Sequence, residues 1–470
     1  MRLSPILLAT AALSGLLSAC TVGPDYQRPT VALTPTYAAP VAVQEADVTW
    51  WRQFNDPLLD RIVDRVLAQN LDIAAAGARI AQARAAARAS GAAMLPTVGA
   101  TGSAQSASQS LHSPFGAAAN TLGFPRGYEL YEVGAQASWE IDLFGGLTRE
   151  RQAAHASLGA STADEAAVRL SVVAEAVDGY LQLRGLQARL SVAERQLEVR
   201  RSLVSLIRQR VGEGVSADRD LNRSLGEAQG VEASLSPLRA GIAGQINRLD
   251  VLMGTQAGTG RADLSPLAPI PAALLPSGSA NPAELMRRRP DVVAAERRVA
   301  AANARIGAAM SDYYPKLSLN GLLGLASVGT SALFSGGAVQ ASGGAGLRWR
   351  LFDFGRIDAE VAGAKGRETE ALALYRSSVL HATEDVENAF VRLSEGRTEV
   401  AVLEQQVASL GLARRQAQSA YESGAVALLD VLDADRALLD ASDRLQQARA
   451  QEARASVAAV RALGGGYREI

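Results

Sequence analysis

Ser138 to Gly146 reads SWEIDLFGG, and Arg348 to Arg356 reads RWRLFDFGR. Set side by side, they pair Trp139 with Trp349 and Gly145 with Gly355 at a spacing of 210 residues. Each is a strand-like aromatic stretch that ends in Phe-Gly before a long proline-free run. Self-similarity at a fixed spacing constrains architecture before any local reading does. The same spacing carries Tyr180 onto Phe390, Leu183 onto Leu393, Gly214 onto Gly424, Asp220 onto Asp430 and Met253-Gly254 onto Leu463-Gly464. Upstream the spacing becomes 219: NLDIAAAGARIAQARA from Asn70 parallels RPDVVAAERRVAAANA from Arg289, and Pro96 parallels Pro315. The difference falls between Pro96 and Trp139, where the first copy has the longer loop. The chain is two tandem halves of one plan.

Each half reads helix, two strands, long helix, turn, returning helix. The first half spans 58–254, with a β-hairpin over about 97–143, a long helix over 146–211 and a returning helix over 215–253. The second spans 282–464, with a hairpin over about 316–353, a long helix over 355–421 and a returning helix over 425–463. Pro96 and Pro315 end the first helix of each half, because proline lacks the amide donor and clashes inside a helix. In the second strand Val133, Ala135, Ala137, Trp139 and Ile141 share one face, and Gly134, Gln136, Ser138, Glu140 and Asp142 the other. In the copy, Ala345, Leu347, Trp349 and Leu351 oppose Gly346, Arg348 and Arg350. Such alternation fits a membrane barrel, and a soluble antiparallel sheet shows the same pattern. The Gly/Ser/Asn-rich stretch Gln105 to Gly127 resembles an exposed external loop.

The long helices keep a three-four apolar spacing, through Leu183, Leu186, Leu190, Ala193, Leu197, Val204, Ile207 and Val211, and through Leu393, Val400, Leu403, Val407, Leu410 and Tyr421. Arg200 and Arg414 interrupt it. Sustained seven-residue spacing predicts coiled-coil packing against neighbours. Gly212, Gly214 and Gly424 mark the turns into the returning helices, and Pro237 predicts a kink or break in the first of these. Residues 255–281 form a Pro/Gly-rich connector. Asn281 and Pro282 then restart a helix as cap and first turn, and 465–470 is a tail.

Arg2 followed by the apolar run Leu3 to Leu17 reads as a targeting segment over 1–19. It ends in LSAC, a spacing that resembles the lipobox of bacterial lipoproteins and points to acylation of Cys20, the single cysteine of the chain. Thr21 follows, favouring export to the outer membrane, and 20–57 becomes a lipid anchor and N-terminal segment. The net charge of −1 gives no electrostatic reason to expect nucleic acid. No segment holds the 18 consecutive apolar residues of a membrane-spanning helix.

Four strands cannot close a membrane barrel, for which eight is the minimum, and open edges are not tolerated in lipid. A dimer would give eight strands, filled by side chains; a trimer would give twelve and a wet lumen. Polar residues at Glu140, Asp142, Arg348 and Arg350 favour the wet lumen, and so a homotrimer.

CTVGPDYQRP from Cys20, WWRQFNDPLLDRIVDRVLAQNLDI from Trp50, LMRRRPDVVAAERRVAAANARIGAAMSDYYPKLSL from Leu285 and YESGAVALLDVLDADRALLDA from Tyr421 together resemble the outer-membrane factor (TolC-like) family, in its lipoprotein NodT/OprM-like branch. The resemblance covers essentially the whole mature chain. It implies a mainly α fold with membrane β: a homotrimeric 12-stranded β-barrel continuous with a 12-helix coiled-coil α-barrel, anchored by lipid in the outer membrane and extending into the periplasm. It implies an exit duct of a tripartite efflux pump, with a periplasmic adaptor and an inner-membrane RND-type transporter as partners, and no cofactor. A protein-secretion duct would share the fold. A periplasmic adaptor lipoprotein is disfavoured, because adaptors carry one helical hairpin rather than two. By resemblance, Leu429 and Asp433 line an iris-like periplasmic gate, with Arg210, Tyr421, Asp218 and Asp430 as links that hold it closed. The helix-tip turns at Gly212, Gly214 and Gly424 are the expected adaptor contact.

An enzyme reading finds little. His112, His155 and His381 lie apart with no metal-ligand spacing, no phosphate-binding loop occurs, and no acid/base pair stands out.

Overall fold

The computed structural model describes residues 21–32, 48–274 and 288–467. Asn281 and Pro282, read above as a helix restart, lie outside the described residues. The chain divides into two compact units: the N-terminal stretch to Pro29 with Ala81–Ala160 and Glu296–Leu374, and Thr30–Ile80 with Ser161–Ala295 and Tyr375–Ile470.

A 3-10 turn at Trp50–Phe54 precedes α1 (Pro57–Gln69) and α2 (Leu71–Ala92). The single helix expected here is divided at Asn70, whose side chain accepts from the amides of Asp72 and Ile73 and caps α2. The first hairpin is β1 (Thr97–Ser108) and β2 (Gly127–Ile141), with α3 (Pro114–Thr121) inside its connection. The long α4 (Gly146–Gly212) turns into α5 (Asp218–Leu252), and α6 (Arg261–Leu264) follows in the connector. The second half brings α7 (Pro290–Met310), β3 (Lys316–Ser327), β4 (Val339–Arg348), α8 (Arg356–Glu422) and α9 (Leu428–Ala462).

In the first unit the four strands form one antiparallel sheet in the order β1-β2-β3-β4. Val133 stands opposite Leu325, Trp139 opposite Leu319 and Ile141 opposite Leu317. Leu317 in turn faces Leu347. Period-two geometry thus gathers most of the apolar residues on one face, and Leu323, Val98, Val339 and Leu347 on it are exposed. A soluble sheet would bury such a face. The strands stop earlier than the alternation runs: β2 ends at Ile141 and β4 at Arg348. Asp142 and Arg350 therefore lie beyond the strand ends, a correction to their placement on strand faces. Asp142 accepts from the amides of Leu147 (3.0 Å) and Thr148 (2.7 Å) and caps the start of α4. An alternating pattern cannot tell a strand's last polar residue from a helix cap of the same type.

The core of the second unit joins Trp50, Trp51, Phe54, Leu59, Val63 and Val66 to Val173, Val177, Tyr180, Leu181 and Leu183 of α4, Leu249 of α5 and Val457 of α9. Asp56 caps α1 and also accepts from the Tyr180 hydroxyl. Burial pushes the Tyr180 phenol up, so it remains the donor. Helix α5 runs unbroken through Pro237, so of the expected kink or break the break does not occur. Leu235 and Leu238 on either side of it are buried with Ala193 and Leu197 of α4. That packing outweighs the roughly 3 kcal/mol an internal proline costs.

The repeat extends to single atoms. Asn70 Nδ2 donates to the Leu252 carbonyl (2.9 Å), and at its counterpart Arg289 Nη1 donates to that of Ala462 (3.1 Å). Arg239 pairs with Glu194 at 2.9 Å, and Arg449 with Glu404 at 2.7 Å. Gly254 and Gly464 have φ of +69° and +89°. A Cβ there would lie 2.4 Å from the carbonyl oxygens of Gln69 and Arg288 respectively. Only glycine satisfies both the left-handed backbone and that close approach.

Candidate functional site

Three features of the sequence converge on function: the strand-to-helix junction, the stretch after Cys20, and the tips of the two helical hairpins. At the junction, Trp139 Nε1 donates to the Met94 carbonyl (2.9 Å), and Trp349 Nε1 to that of Tyr313 (3.0 Å). Each tryptophan ties the end of a strand to the end of the preceding helix. Glu140 is the penultimate residue of β2. Arg348 closes β4 opposite Lys316. Asp312 offsets that like-charge pair, binding Lys316 Nζ at 2.8 Å and also the Arg350 guanidinium. Arg350 lies 3.7 Å from Glu360 on α8 as well.

Cys20 lies outside the described residues, but the segment immediately after it is held firmly. The Val22 amide donates to the Phe144 carbonyl (3.1 Å). Arg149, buried in the first turn of α4, donates to the carbonyls of Val22 and Gly23 (both 3.2 Å) and to Asp25 (2.8 Å). Gly23 packs backbone to backbone on Gly307 of α7, where a Cβ would sit 2.4 Å from the Gly307 Cα. Farther on, the buried Glu296 accepts from Tyr26 Oη (3.0 Å) and from Arg28. Burial, reinforced by Glu296, pushes the Tyr26 phenol up and keeps it protonated. No motif in the sequence singled out Arg149, and Glu296 stood only within a family-like stretch, without a role. Their partners stand more than a hundred residues away, and periodicity does not report such contacts.

At the tips, Gly214 and Gly424 adopt φ of +72° and +76° in matching turns, just past Gly212 at the end of α4 and Glu422 at the end of α8. Arg210 donates to the Tyr421 hydroxyl and lies over its ring, 5.3 Å from the centroid, so α4 and α8 are tied near their ends. The other two expected links sit elsewhere. Asp218 is the first residue of α5, and the Asp430 carboxylate accepts from the Ala427 amide (3.0 Å) at the start of α9. Both positions favour negative charge through the helix dipole. Leu429 and Asp433 share the exposed face of α9, while Val431, Leu432 and Asp435 point inward.

The interruptions in the apolar spacing turn out to be ion pairs. Buried Arg200 of α4 pairs with Glu227 of α5, and Arg414 of α8 with the buried Asp435 of α9 at 2.9 Å. Two bidentate pairs fasten α9 to α4: Arg189 to Asp443 (2.7 and 2.9 Å) and Arg454 to Asp178 (2.8 and 3.0 Å). Between them Gly185 allows close approach, since a Cβ there would lie 2.5 Å from that of Ala450.

A repeated hairpin pair, an exposed apolar sheet face and paired helical tips describe a channel subunit, and comparison with known proteins decides which. Residues 62–255 and 281–465 match the model of the outer membrane efflux protein family. The chain belongs to this family. Nodulation protein T of Rhizobium leguminosarum bv. trifolii is 31% identical to this outer membrane efflux protein over 459 residues, 97% of this chain and 96% of that one. The pyoverdine export outer membrane protein OpmQ of Pseudomonas putida is 30% identical over 457 residues, covering 93% of each. Among solved structures, the outer-membrane channel OprN superposes with a TM-score of 0.87 at 34% identity, covering 95% of this chain and 99% of that one. The open state of the Neisseria gonorrhoeae MtrE outer membrane channel gives 0.84 at 26% identity, covering 95% and 98%. The protein is an outer-membrane efflux channel of mainly helical fold with a small antiparallel sheet, reaching into the periplasm. No described helix is long and apolar enough to cross a membrane, and that says nothing of strands.

Proposed function

We propose that three copies close their four-stranded sheets into one 12-stranded barrel, continuous with a 12-helix α-barrel. The assembly is the passive exit duct of a tripartite pump for small molecules. The observation that carries this reading is the sheet order: β1 and β4 are edges with no neighbour among the described residues, beside an exposed apolar face. Each unpaired backbone group in hydrocarbon costs several kcal/mol, so the edges require partners. A periplasmic adaptor docks at the hairpin tips around Gly212, Gly214 and Gly424, and an inner-membrane RND-type transporter supplies the energy. The duct binds no cofactor and performs no chemistry. Glu140, Asp142, Arg348 and Arg350 form the polar ring at the barrel's periplasmic mouth, with Asp142 also capping its helix. Leu429 and Asp433 line the gate, and the Arg210–Tyr421 contact holds it closed.

Acylation of Cys20 completes the anchor. The grip of Arg149 on Val22 and Gly23 supports this, because it fixes the lipid-bearing end beside the strand-to-helix junction, level with the membrane. Cys20→Ser is expected to abolish lipid labelling and lipoprotein-type cleavage. Partial membrane insertion should persist, since a single acyl chain binds membranes only marginally. Function is tested in cells where this chain is the sole outer-membrane factor available to an RND pump. Efflux of a fluorescent pump substrate should return; dye retention despite folded protein in the outer membrane would count against the small-molecule reading.

A further inference from the structure

The internal repeat supplies a template for a contact that one chain cannot make with itself. Moving β1 by 219 positions and β2 by 210 carries the pair Thr97–Ser138 onto Lys316–Arg348, the first pair of the second hairpin. The same shifts carry the Trp139–Met94 hydrogen bond onto Trp349–Tyr313. The two spacings read from the sequence therefore hold for backbone register and for side-chain contact.

The β2–β3 pairing joins the first half to the second. It sets Trp139 opposite Leu319, Ala137 opposite Gly321, Ala135 opposite Leu323 and Tyr131 opposite Ser327. In a closed ring of alternating halves this joint recurs once more per chain, between β4 of one copy and β1 of the next. We infer that β4 pairs antiparallel with β1 of a second copy in the register the repeat dictates. Leu347 then stands opposite the partner's Gly102, Ala345 opposite the partner's Ala104, and Ala341 opposite the partner's Ser108. The inference rests on the trimeric-barrel reading and adds to it which residues meet.

Two independent features fit this register. The first is the pleat. On β1, Val98, Ala100 and Ala104 share the face of Ala137, Ala135 and Tyr131, their partners on β2. On β4, Leu347, Ala345 and Ala341 share the face of Leu317, Leu319 and Leu323. The proposed register keeps one continuous apolar face across the joint, and a slip of one residue would turn Leu347 against the polar face. The second is the rim. Phe144 stacks on Tyr314 with centroids 4.6 Å apart and ring planes at 19°. Their images under the same shifts are Phe354 and Leu95, which are 102% and 63% exposed. The joint lays Phe354 on the partner's Leu95 and covers both.

Engineered disulfides test the register. A disulfide needs Cβ atoms about 3.5–4.5 Å apart, whereas a four-residue offset along a strand is about 13 Å. Two in-register pairs, A345C with A104C and G344C with Q105C, sample both kinds of ladder position. A345C with A100C and A345C with S108C are the offset controls. Full-length protein in outer-membrane vesicles is oxidised mildly and run without reductant, with the unsubstituted chain as blank for Cys20. At least one in-register pair should convert most chains into covalent dimers and trimers, at least tenfold above either control. Equal or stronger linking in a control, or none from either in-register pair in an assembly that still has the mass of a trimer, overturns the register alone. A folded monomer overturns the barrel reading with it.

Discussion

Asp433→Ala combined with Leu429→Ala is expected to raise single-channel conductance in planar bilayers, weaken cation preference and admit large antibiotics to cells without pump activity. The two side chains lie four residues apart on the exposed face of α9, so both project from one side of the helix. In the proposed trimer, threefold symmetry would make each a ring: an apolar collar and a cluster of three carboxylates that attracts cations and repels anions. Removing both would widen the proposed constriction and take away its charge. The double substitution leaves the hairpin intact, because the buried positions beside it are Val431, Leu432 and Asp435. The tie that remains is Arg210 to Tyr421. A polar link of this partly exposed kind is worth about 0–1 kcal/mol, so in the proposed trimer three copies would hold the gate by about a few kcal/mol, within reach of adaptor binding. Unchanged conductance and selectivity in a folded assembly would remove Leu429 and Asp433 from the constriction.

Arg414→Ala is expected to loosen the hairpin that carries those residues. Asp435 is buried, and the Arg414 guanidinium 2.9 Å away is its charge partner. Deleting one member of a buried pair leaves an uncompensated charge and costs about 3–5 kcal/mol. Because the loss is local, amide exchange over residues 428–440 should accelerate by about a hundredfold or more, with little change near Leu249 in the main core. Asp435→Ala in the same chain should restore most of the protection, since the cost lies in the orphaned carboxylate rather than in the missing bond. Unaltered exchange in Arg414→Ala would show that Asp435 reaches water or another cation.

The plan of the chain was legible because each repeated signal has a local cause. Trp139 and Trp349 sit in equivalent alternating stretches, and Gly145, Gly214 and Gly254 share positive φ with Gly355, Gly424 and Gly464. These positions end strands or helices whichever residues surround them. What escaped the sequence depends on distant partners. Arg200 and Arg414 read as breaks in an apolar stripe, yet each is neutralised by a carboxylate on the returning helix, which an apolar pattern does not count. Pro237 read as a kink or break, and the helix continues through it because of the packing of Leu235 and Leu238, which helix propensity ignores. Asp142 continued the alternation of β2 while its carboxylate served α4. The hold of Arg149 and Glu296 on residues 22–28 links positions more than a hundred residues apart and leaves no periodic trace. Of the four residues expected as gate links, Arg210 and Tyr421 do meet, an aromatic and a guanidinium near matching helix ends. Asp218 and Asp430 found helix N-termini closer at hand.

Whether three sheets share one barrel is read most directly from the mass of the assembly extracted in gentle detergent. A particle of three chains, with detergent and lipid subtracted, that retains its β-structure is expected. A stable monomer with intact β-structure, or a dimer closing eight strands, would contradict the three-sheet barrel.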